Sequence, residues 1–499
     1  MIKSKKYGIA LSLILFTVIL LMDDFDPSKP YLNVMAAISV LMAVLWITEA
    51  IPLSVTSLIP LIFYPITGIL SADEIASSYI NSIIFLFLGG FLIAISMEEW
   101  NLHKRIALKL ITIFGGSPSS ILIGFMIAGA FLSMWISNTA TALMLLPIAL
   151  AIISKLEDQF TEKQIQSFSL ILLLSIAYSC TLGGVATLVG TPPNLVFVKT
   201  LNIMFPNAPE ISFSSWMLLA IPVSIVMLLA VGYLLTKVLF KIDKKIKLDK
   251  DYIKQEYNKL GKIAFEEKAV GIVFCITALL WIFRNNIKFG IVEIPGWANL
   301  LPTSDFINDG TVAISMAFIL FLIPAKNKSR AILDANAFIK VPWGIILLFG
   351  GGFALAKGFS STGLAQYIGE QLTGLSSFPP ILIIIFTAAL ISFLTELTSN
   401  TATTQMILPI LASVSIAMQL NPLLLMLTAT LSASMAFMLP VATPPNTIIF
   451  ASKRLKISEM ARTGFALNIL GIIIVSLLVY FLGNYIFDLS TFPGWAEIN

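Results

Sequence analysis

The sequence predicts an all-α membrane protein of about eleven transmembrane helices plus two re-entrant helical hairpins, arranged as an inverted repeat. Composition is the first ground. Hydrophobic residues make up 58% of the 499 and charged residues only 12%, whereas soluble domains carry roughly 45–50% apolar and about 25% charged residues. The second ground is recurrence, since apolar runs of crossing length follow one another from end to end. The third is duplication: the word SNTAT stands at 137–141 and again at 399–403.

A crossing takes about 20 residues, each rising about 1.5 Å, to traverse a hydrocarbon core about 30 Å thick. The basic start MIKSKK and the apolar run behind it look like a signal peptide. No small-residue cleavage site follows, and Asp23, Asp24 and Asp26 come directly after, so the segment reads as a retained first span. Spans are expected at 8–22, 31–47, 53–70, 79–97, 167–197, 213–240, 268–285, 306–324, 342–358, 422–450 and 462–487. Two further apolar regions, 117–154 and 378–416, are too long for one crossing and carry the SNTAT words midway. Each reads as a hairpin that enters the membrane, turns at the polar word and leaves on the same side.

The basic residues give the orientation. KSKK, HKRIALK, the stretch 237–268 with its ten lysines, AKNKSR and SKRLK alternate along the chain with segments poor in lysine and arginine. Those segments are DDFDPSKP, SADEIASS, NAPE, 284–309 and DLSTFPGWAEIN. The positive-inside rule then places the N-terminus in the cytoplasm and the C-terminus outside a multi-pass inner (plasma) membrane protein. The lysine run at 237–268 reads as an orientation signal on an interfacial helix, with a lipid-binding patch as the alternative. Net charge +4 follows from this asymmetry and carries no nucleic-acid inference.

The landmarks repeat at fixed spacings. Asn138 and Asn400, Pro147 and Pro409, and Phe91 and Phe353 are each 262 apart. VGTPPNLVF at 189–197 and VATPPNTII at 441–449 are 252 apart. The halves are therefore duplicated, and the predicted topology sends the first hairpin in from the cytoplasm and the second from outside. Inverted repeats of this kind build many secondary transporters.

Polar backbone at membrane depth survives only where protein buries it or a watery cavity receives it. Each TPPN removes two amide donors and interrupts a helix, leaving free carbonyls on one side of the break and free amides on the other. Carbonyl, hydroxyl and amide oxygens suit a hard cation such as sodium, while helix N-termini suit a carboxylate. No Lys or Arg lies in either hairpin tip or either TPPN. Bound cations would supply the positive charge that an anion site here lacks, which is a physical reason for coupling.

The remaining features argue against chemistry. Cys180 and Cys275 lie in apolar segments and read as small buried hydrophobes, with no disulfide framework and no metal-ligand spacing. His103, the one histidine, sits in the membrane-edge stretch EEWNLHKRIA, and no paired catalytic carboxylates stand beside it. Lys357 and Glu396 have Ile95 and Met134 as repeat counterparts, and they are expected to form a structural ion pair within the membrane. Glu49 in WITEAIP ends a span, at a helix junction or interface. The glycine runs 89–90 and 350–352 are expected at close helix contacts.

On two SNT words, two TPPN words, WITEAIPL and GGGFALAKG, the chain resembles the divalent anion:sodium symporter family of di- and tricarboxylate transporters over nearly its whole length. The resemblance implies a homodimer in which each protomer has a scaffold and a transport domain that moves as an elevator. Residues 1–116 and 268–377 would form the scaffold and 117–240 and 378–499 the two transport halves, with 241–267 a cytoplasmic interfacial linker. One sodium would be held by Ser133, Ser137, Asn138 and the Gly190 backbone, and another by Thr395, Thr398, Asn400 and the Ala442 backbone. The carboxylates of the substrate would meet Asn138, Thr139, Thr191, Asn400, Thr401, Thr443 and Pro444. The implied cargo is a C4-dicarboxylate such as succinate, fumarate or malate, moved with sodium held at two or more sites. A sodium-independent exchanger, and citrate or sulfate as substrate, stay open at this point. A channel fits less well because a pore needs a continuous path, and an embedded enzyme lacks a nucleophile, base or metal cluster.

Overall fold

In the computed structural model the described residues are 2–114, 117–240, 250–289, 292–326, 329–372, 374 and 378–497. The first half opens with α1 (Ile2–Leu20) and α2 (Leu32–Thr48). α2 stops at Glu49, which adopts a left-handed φ of 45°, three residues ahead of a proline that could not continue a helix. The expected span 53–70 is broken into α3 (Leu53–Thr56) and α4 (Ile59–Thr67), and α4 closes on Gly68 at φ 79°. α5 (Ala72–Tyr79) starts from a capping box made by Ser71 and Glu74, and Asn81 caps α6 (Ser82–Glu99). α7 (Leu102–Phe114) carries half-buried His103, whose Nδ1 lies 3.0 Å from the Met97 carbonyl oxygen.

Next come α8 (Pro118–Ser133), α9 (Asn138–Glu157), α10 (Glu162–Val185), α11 (Pro192–Met204) and α12 (Phe213–Tyr233), which runs on into a π-helical turn, Leu234–Leu239. α13 (Lys250–Lys259) and α14 (Phe265–Ile282) lead to a two-stranded antiparallel hairpin, β1 (Ile287–Phe289) and β2 (Val292–Ile294). That hairpin is a local exception to the all-α expectation. Residues 241–249 of the lysine-rich linker lie outside the described residues.

The second half follows as α15 (Asp309–Leu322), α16 (Asn336–Lys340), α17 (Trp343–Thr362), α18 (Leu364–Gln371), α19 (Pro380–Leu394), α20 (Asn400–Ala417), α21 (Pro422–Ala433), α22 (Pro444–Phe450), α23 (Ile457–Leu478) and α24 (Asn484–Phe487). Among the described residues, six helical stretches of at least 18 residues are apolar enough to cross a membrane: Ala72–Glu99, Asn138–Glu157, Ile165–Val185, Phe213–Leu239, Trp343–Thr362 and Ile457–Phe487. Six shorter apolar helices of 10–17 residues accompany them.

The radial pattern is that of a membrane protein. Leu229, Phe386 and Phe481 face outward, each about two-thirds exposed, while Ser133, Thr395 and Thr404 are fully buried. An apolar exterior costs nothing against lipid, whereas a buried hydroxyl must find a partner. Close helix contact occurs at the glycine runs as expected: a Cβ on Gly89 would lie 2.5 Å from the Ala313 backbone, and one on Gly351 2.5 Å from Ser57. Cys180 is buried, but Cys275 is exposed on α14, contrary to the expectation for both cysteines. Its helix presents that face outward, where an apolar thiol is at home.

The Lys357–Glu396 pair does not form. Lys357 Nζ donates to the Glu74 carbonyl at 2.8 Å, and Glu396 takes its donors from backbone amides and Asn468. Lys357 lies on α17 and Glu396 in the turn after α19, and each satisfies its charge on backbone groups near it, so their shared confinement to the second half did not make them a pair. Ion pairs elsewhere join helix ends. Arg105 bonds Glu267 and the carbonyls of Leu260 and Gly261. Arg454 donates to both carboxylate oxygens of Glu157.

Candidate functional site

Each SNT word starts a helix. Ser137 and Ser399 occupy the N-cap positions of α9 and α20, and the turns before them, 134–137 and 395–399, separate the arms of two helix–turn–helix units. Ser137 Oγ accepts from the Ala140 amide at 3.4 Å. Just before each turn a hydroxyl grips the asparagine. Ser133 Oγ donates to Asn138 Oδ1, and Thr395 Oγ1 donates to Asn400 Oδ1 at 2.5 Å.

The TPPN words start helices too. Pro192–Pro193 and Pro444–Pro445 stand in the first turns of α11 and α22, where the missing amide donors would have been unpaired anyway. The asparagine of each word then secures the unwound backbone behind it. Asn194 Nδ2 reaches the carbonyls of Gly184 (3.4 Å), Val185 (3.2 Å) and Thr187 (2.7 Å). Asn446 Nδ2 reaches those of Ala436 (3.3 Å) and Leu439 (3.1 Å). Gly184 and Ala436, and Thr187 and Leu439, are counterparts in the repeat, so the sequence duplication is a duplication of hydrogen bonds.

The halves interlock. α22 packs on α9 and α10, α11 packs on α20 and α21, and Tyr178 of α10 donates to the Phe437 carbonyl at 3.1 Å. This exchange brings all four words to one cavity of about 800 Å³. Its lining contains every expected substrate contact: Asn138, Thr139, Thr191, Asn400, Thr401, Thr443 and Pro444. Of the expected cation ligands, Ser137, Gly190, Thr398 and Ala442 also line it. Ser133 and Thr395 do not; both are 0% exposed and sit behind Asn138 and Asn400.

Oxygens of the first tip and the first break come together over Gly184. A Cβ built on Gly184 would lie 2.6 Å from Asn138 Oδ1 and 3.0 Å from the Gly190 carbonyl oxygen, so both oxygens close over one glycine. Across the repeat, the single Thr395 hydroxyl proton is shared between Asn400 Oδ1 and the Ala433 carbonyl oxygen, 2.8 Å away, and the Thr398 and Thr403 hydroxyls are 2.5 Å apart. Among the described residues no group of three or more His, Cys, Asp or Glu side chains could hold a metal.

Sequence reasoning missed three contributors. Gly184 supports Asn138, and its signal was the Gly183–Gly184 pair in TLGGVAT. Thr187 donates to the Met134 carbonyl at 2.5 Å and accepts from the Gly190 amide at 3.2 Å, joining the first hairpin tip to the first break. Glu49, placed at a helix junction, is also the one charged residue among the described residues lining the cavity.

Two unwound helices and two helix tips, supplied by the two halves and facing one cavity inside an apolar shell, define a multi-pass membrane transporter rather than an enzyme. Residues 3–489 match the family described as the sodium:sulfate symporter transmembrane region, and the chain belongs to that family. Over 482 residues it is 44% identical to the sodium-dependent dicarboxylate transporter SdcS of Staphylococcus saprophyticus, covering 95% of this chain and 91% of that protein. Over 484 residues it is 45% identical to SdcS of Staphylococcus aureus strain MRSA252, covering 95% and 90%. Two solved structures share the fold alone. Neisseria gonorrhoeae MtrF, from a class of antimetabolite efflux pumps, superposes with TM-score 0.56 at 12% identity over 93% of this chain and 96% of its own. The Alcanivorax borkumensis YdaH transporter superposes with TM-score 0.52 at 11% identity, covering 96% and 97%.

Proposed function

We propose that the protein imports C4-dicarboxylates such as succinate, fumarate or malate, coupled to sodium held at two sites. The observation that carries this is the composition of the cavity lining: both SNT tips and both TPPN breaks, with hydroxyl, amide and backbone oxygens and no Lys or Arg. Relatives named as sodium-dependent dicarboxylate transporters support it.

The chemistry follows from charge. A dianion at the tips and breaks meets only the partial charges of hydroxyls, amides and helix N-termini, and the charged side chain of the described lining, Glu49, is an acid that adds no attraction. A sodium ion about 5 Å from a carboxylate, at an effective dielectric near 20, adds about 3 kcal/mol of attraction, roughly two orders of magnitude in affinity. Sodium therefore binds first and completes the anion site. One cation rests on Ser133, Ser137, Asn138 and Gly190, the other on Thr395, Thr398, Asn400 and Ala442. The anion lies between the two tips against Thr139, Thr191, Thr401, Thr443 and Pro444. Eleven crossings and two re-entrant hairpins, a cytoplasmic N-terminus, a homodimer and an elevator motion of 117–240 with 378–499 against the rest complete the reading. The break of each TPPN helix supports the motion, since a site built from both halves can travel as one body.

The test is uptake of labelled succinate into proteoliposomes, with an inward sodium gradient and with choline replacing sodium. Uptake only with sodium is expected. Uptake without sodium, driven by internal dicarboxylate, would make the protein an exchanger and remove the cation assignment; competition by citrate or sulfate in place of dicarboxylates would overturn the substrate class.

A further inference from the structure

The two breaks are not built alike. At the spacing of the TPPN words, Val185 aligns with Phe437. α10 remains helical through Val185, but α21 stops at Ala433, a full turn earlier. The longer unwound stretch frees the consecutive amides of Phe437, Met438 and Leu439, which would be orphaned in a dry interior.

Glu396 receives all three. Its carboxylate accepts from Phe437 at 2.7 Å, Met438 at 2.9 Å and Leu439 at 3.0 Å, and from Asn468 Nδ2 of α23 at 2.8 Å. It is 3% exposed. In the first half the corresponding residues are Met134, Thr187 and Trp216. There Thr187 donates to the Met134 carbonyl at 2.5 Å and Trp216 Nε1 to the Val185 carbonyl at 3.0 Å. The same junction of tip, break and flanking helix is thus neutral in one half and carries a buried carboxylate in the other.

From Glu396 the contacts run directly to the second cation site. Leu439, held through its amide, accepts at its carbonyl from the Ala442 amide at 3.2 Å and from Asn446 at 3.1 Å. Thr395, the neighbour of Glu396, holds the other side of the break through the Ala433 carbonyl at 2.8 Å. Both edges of the unwound stretch are therefore fixed from two adjacent residues of one hairpin. We propose that Glu396 is a positioning residue for the second cation site, fixing the Leu439–Ala442 backbone relative to Thr395 and Asn400 so that this site is preassembled before sodium arrives. In the first site the corresponding link is neutral, the Thr187 hydroxyl joining the Met134 carbonyl to the Gly190 amide, so the two cation sites are held unequally. This rests on the sodium-coupled reading above.

The test uses purified full-length protein and two variants. Glu396→Gln keeps the side-chain shape and one acceptor oxygen but sets an amide NH₂ against the Leu439 amide. Asn468→Ala leaves the carboxylate and removes only its side-chain donor. Two sodium titrations are run against choline, one reading the thermal midpoint in detergent and one reading succinate uptake in proteoliposomes. For Glu396→Gln the half-saturating sodium concentration is expected to rise about tenfold, the scale of a lost charge-assisted hydrogen bond. The sodium curve should become less steep, while uptake at saturating sodium stays within a few-fold of the parent. Asn468→Ala should move the curve in the same direction by less. Parental sodium curves in both variants would overturn the inference, as would a fall in maximal rate with an unmoved sodium curve, the mark of a purely structural role. If Glu396→Gln does not fold, Asn468→Ala decides alone. A parent protein indifferent to sodium in both assays would instead overturn the symport reading itself, and the inference with it.

Discussion

Gly184→Ala separates folding from ion binding at a single methyl group. A Cβ at 184 would lie 2.6 Å from Asn138 Oδ1, 2.9 Å from Asn138 Nδ2 and 3.0 Å from the Gly190 carbonyl oxygen. Near the end of α10 an alanine gains up to about 1 kcal/mol over glycine in helix propensity. Overpacking costs typically about 1–3 kcal/mol when the surroundings cannot yield. Here the two nearest atoms are the far end of a side chain, which can rotate away, and the Gly190 carbonyl at 3.0 Å need give only a few tenths of an ångström, so the two effects nearly cancel and the thermal midpoint without sodium should shift little. The rotation, however, takes Asn138 Oδ1 off Ser133 and away from the Gly190 carbonyl. A misplacement of this kind of about 1 Å costs on the order of a hundredfold where geometry governs binding, so the half-saturating sodium concentration should rise by one to two orders of magnitude. Gly183→Ala is the contrast. Its Cβ would lie 2.5 Å from the Ala130 Cα, and backbone does not step aside, so that variant should lose stability first. Sodium titrations of uptake and of thermal midpoint on both variants check the argument. A Gly184→Ala protein with parental sodium dependence would refute the convergence of oxygens over Gly184.

Asn138→Ala and Asn400→Ala should each abolish sodium-driven uptake while the protein still reaches the membrane, measured by uptake alongside surface labelling; normal transport by either would remove that residue from the site. Thr443→Ala should raise the half-saturating succinate concentration about tenfold and leave the sodium curve in place, since a hydroxyl contact to a carboxylate is worth about 1.5–3 kcal/mol; loss of sodium dependence alone would contradict its role. Lys357→Met should weaken only the junction of α17 with α5, where Nζ meets the Glu74 carbonyl at 2.8 Å, lowering the thermal midpoint with uptake per folded molecule retained. A Lys357→Met phenotype rescued by neutralising Glu396 would restore the ion pair that the contacts deny.

The apolar helices, the duplication at fixed spacings and the polar words that open helices at one cavity were legible in the chain because each is a local signal, whereas the substrate contacts came from the family resemblance. Crossing length, proline pairs and N-cap serines act within one helix or one turn. Two local features escaped because they are conformational rather than compositional. The expected span 53–70 splits into α3 and α4, and the segment 284–309 folds part of itself into a hairpin of three-residue strands.

What the sequence by itself determined was the membrane character, the repeat and the residue types that could meet an ion or a carboxylate. Tertiary structure decided which of those residues face the cavity and which stand behind it, as Ser133 and Thr395 do. It also decided the partner of Glu396. The 262-residue spacing pairs it with Met134, and charge alone suggests Lys357, yet its carboxylate belongs to three backbone amides. Those amides are free only because α21 unwinds a turn before its counterpart. How far a helix unwinds depends on whether packed neighbours can satisfy each exposed backbone group, and that is settled between elements far apart in the chain rather than within any one of them.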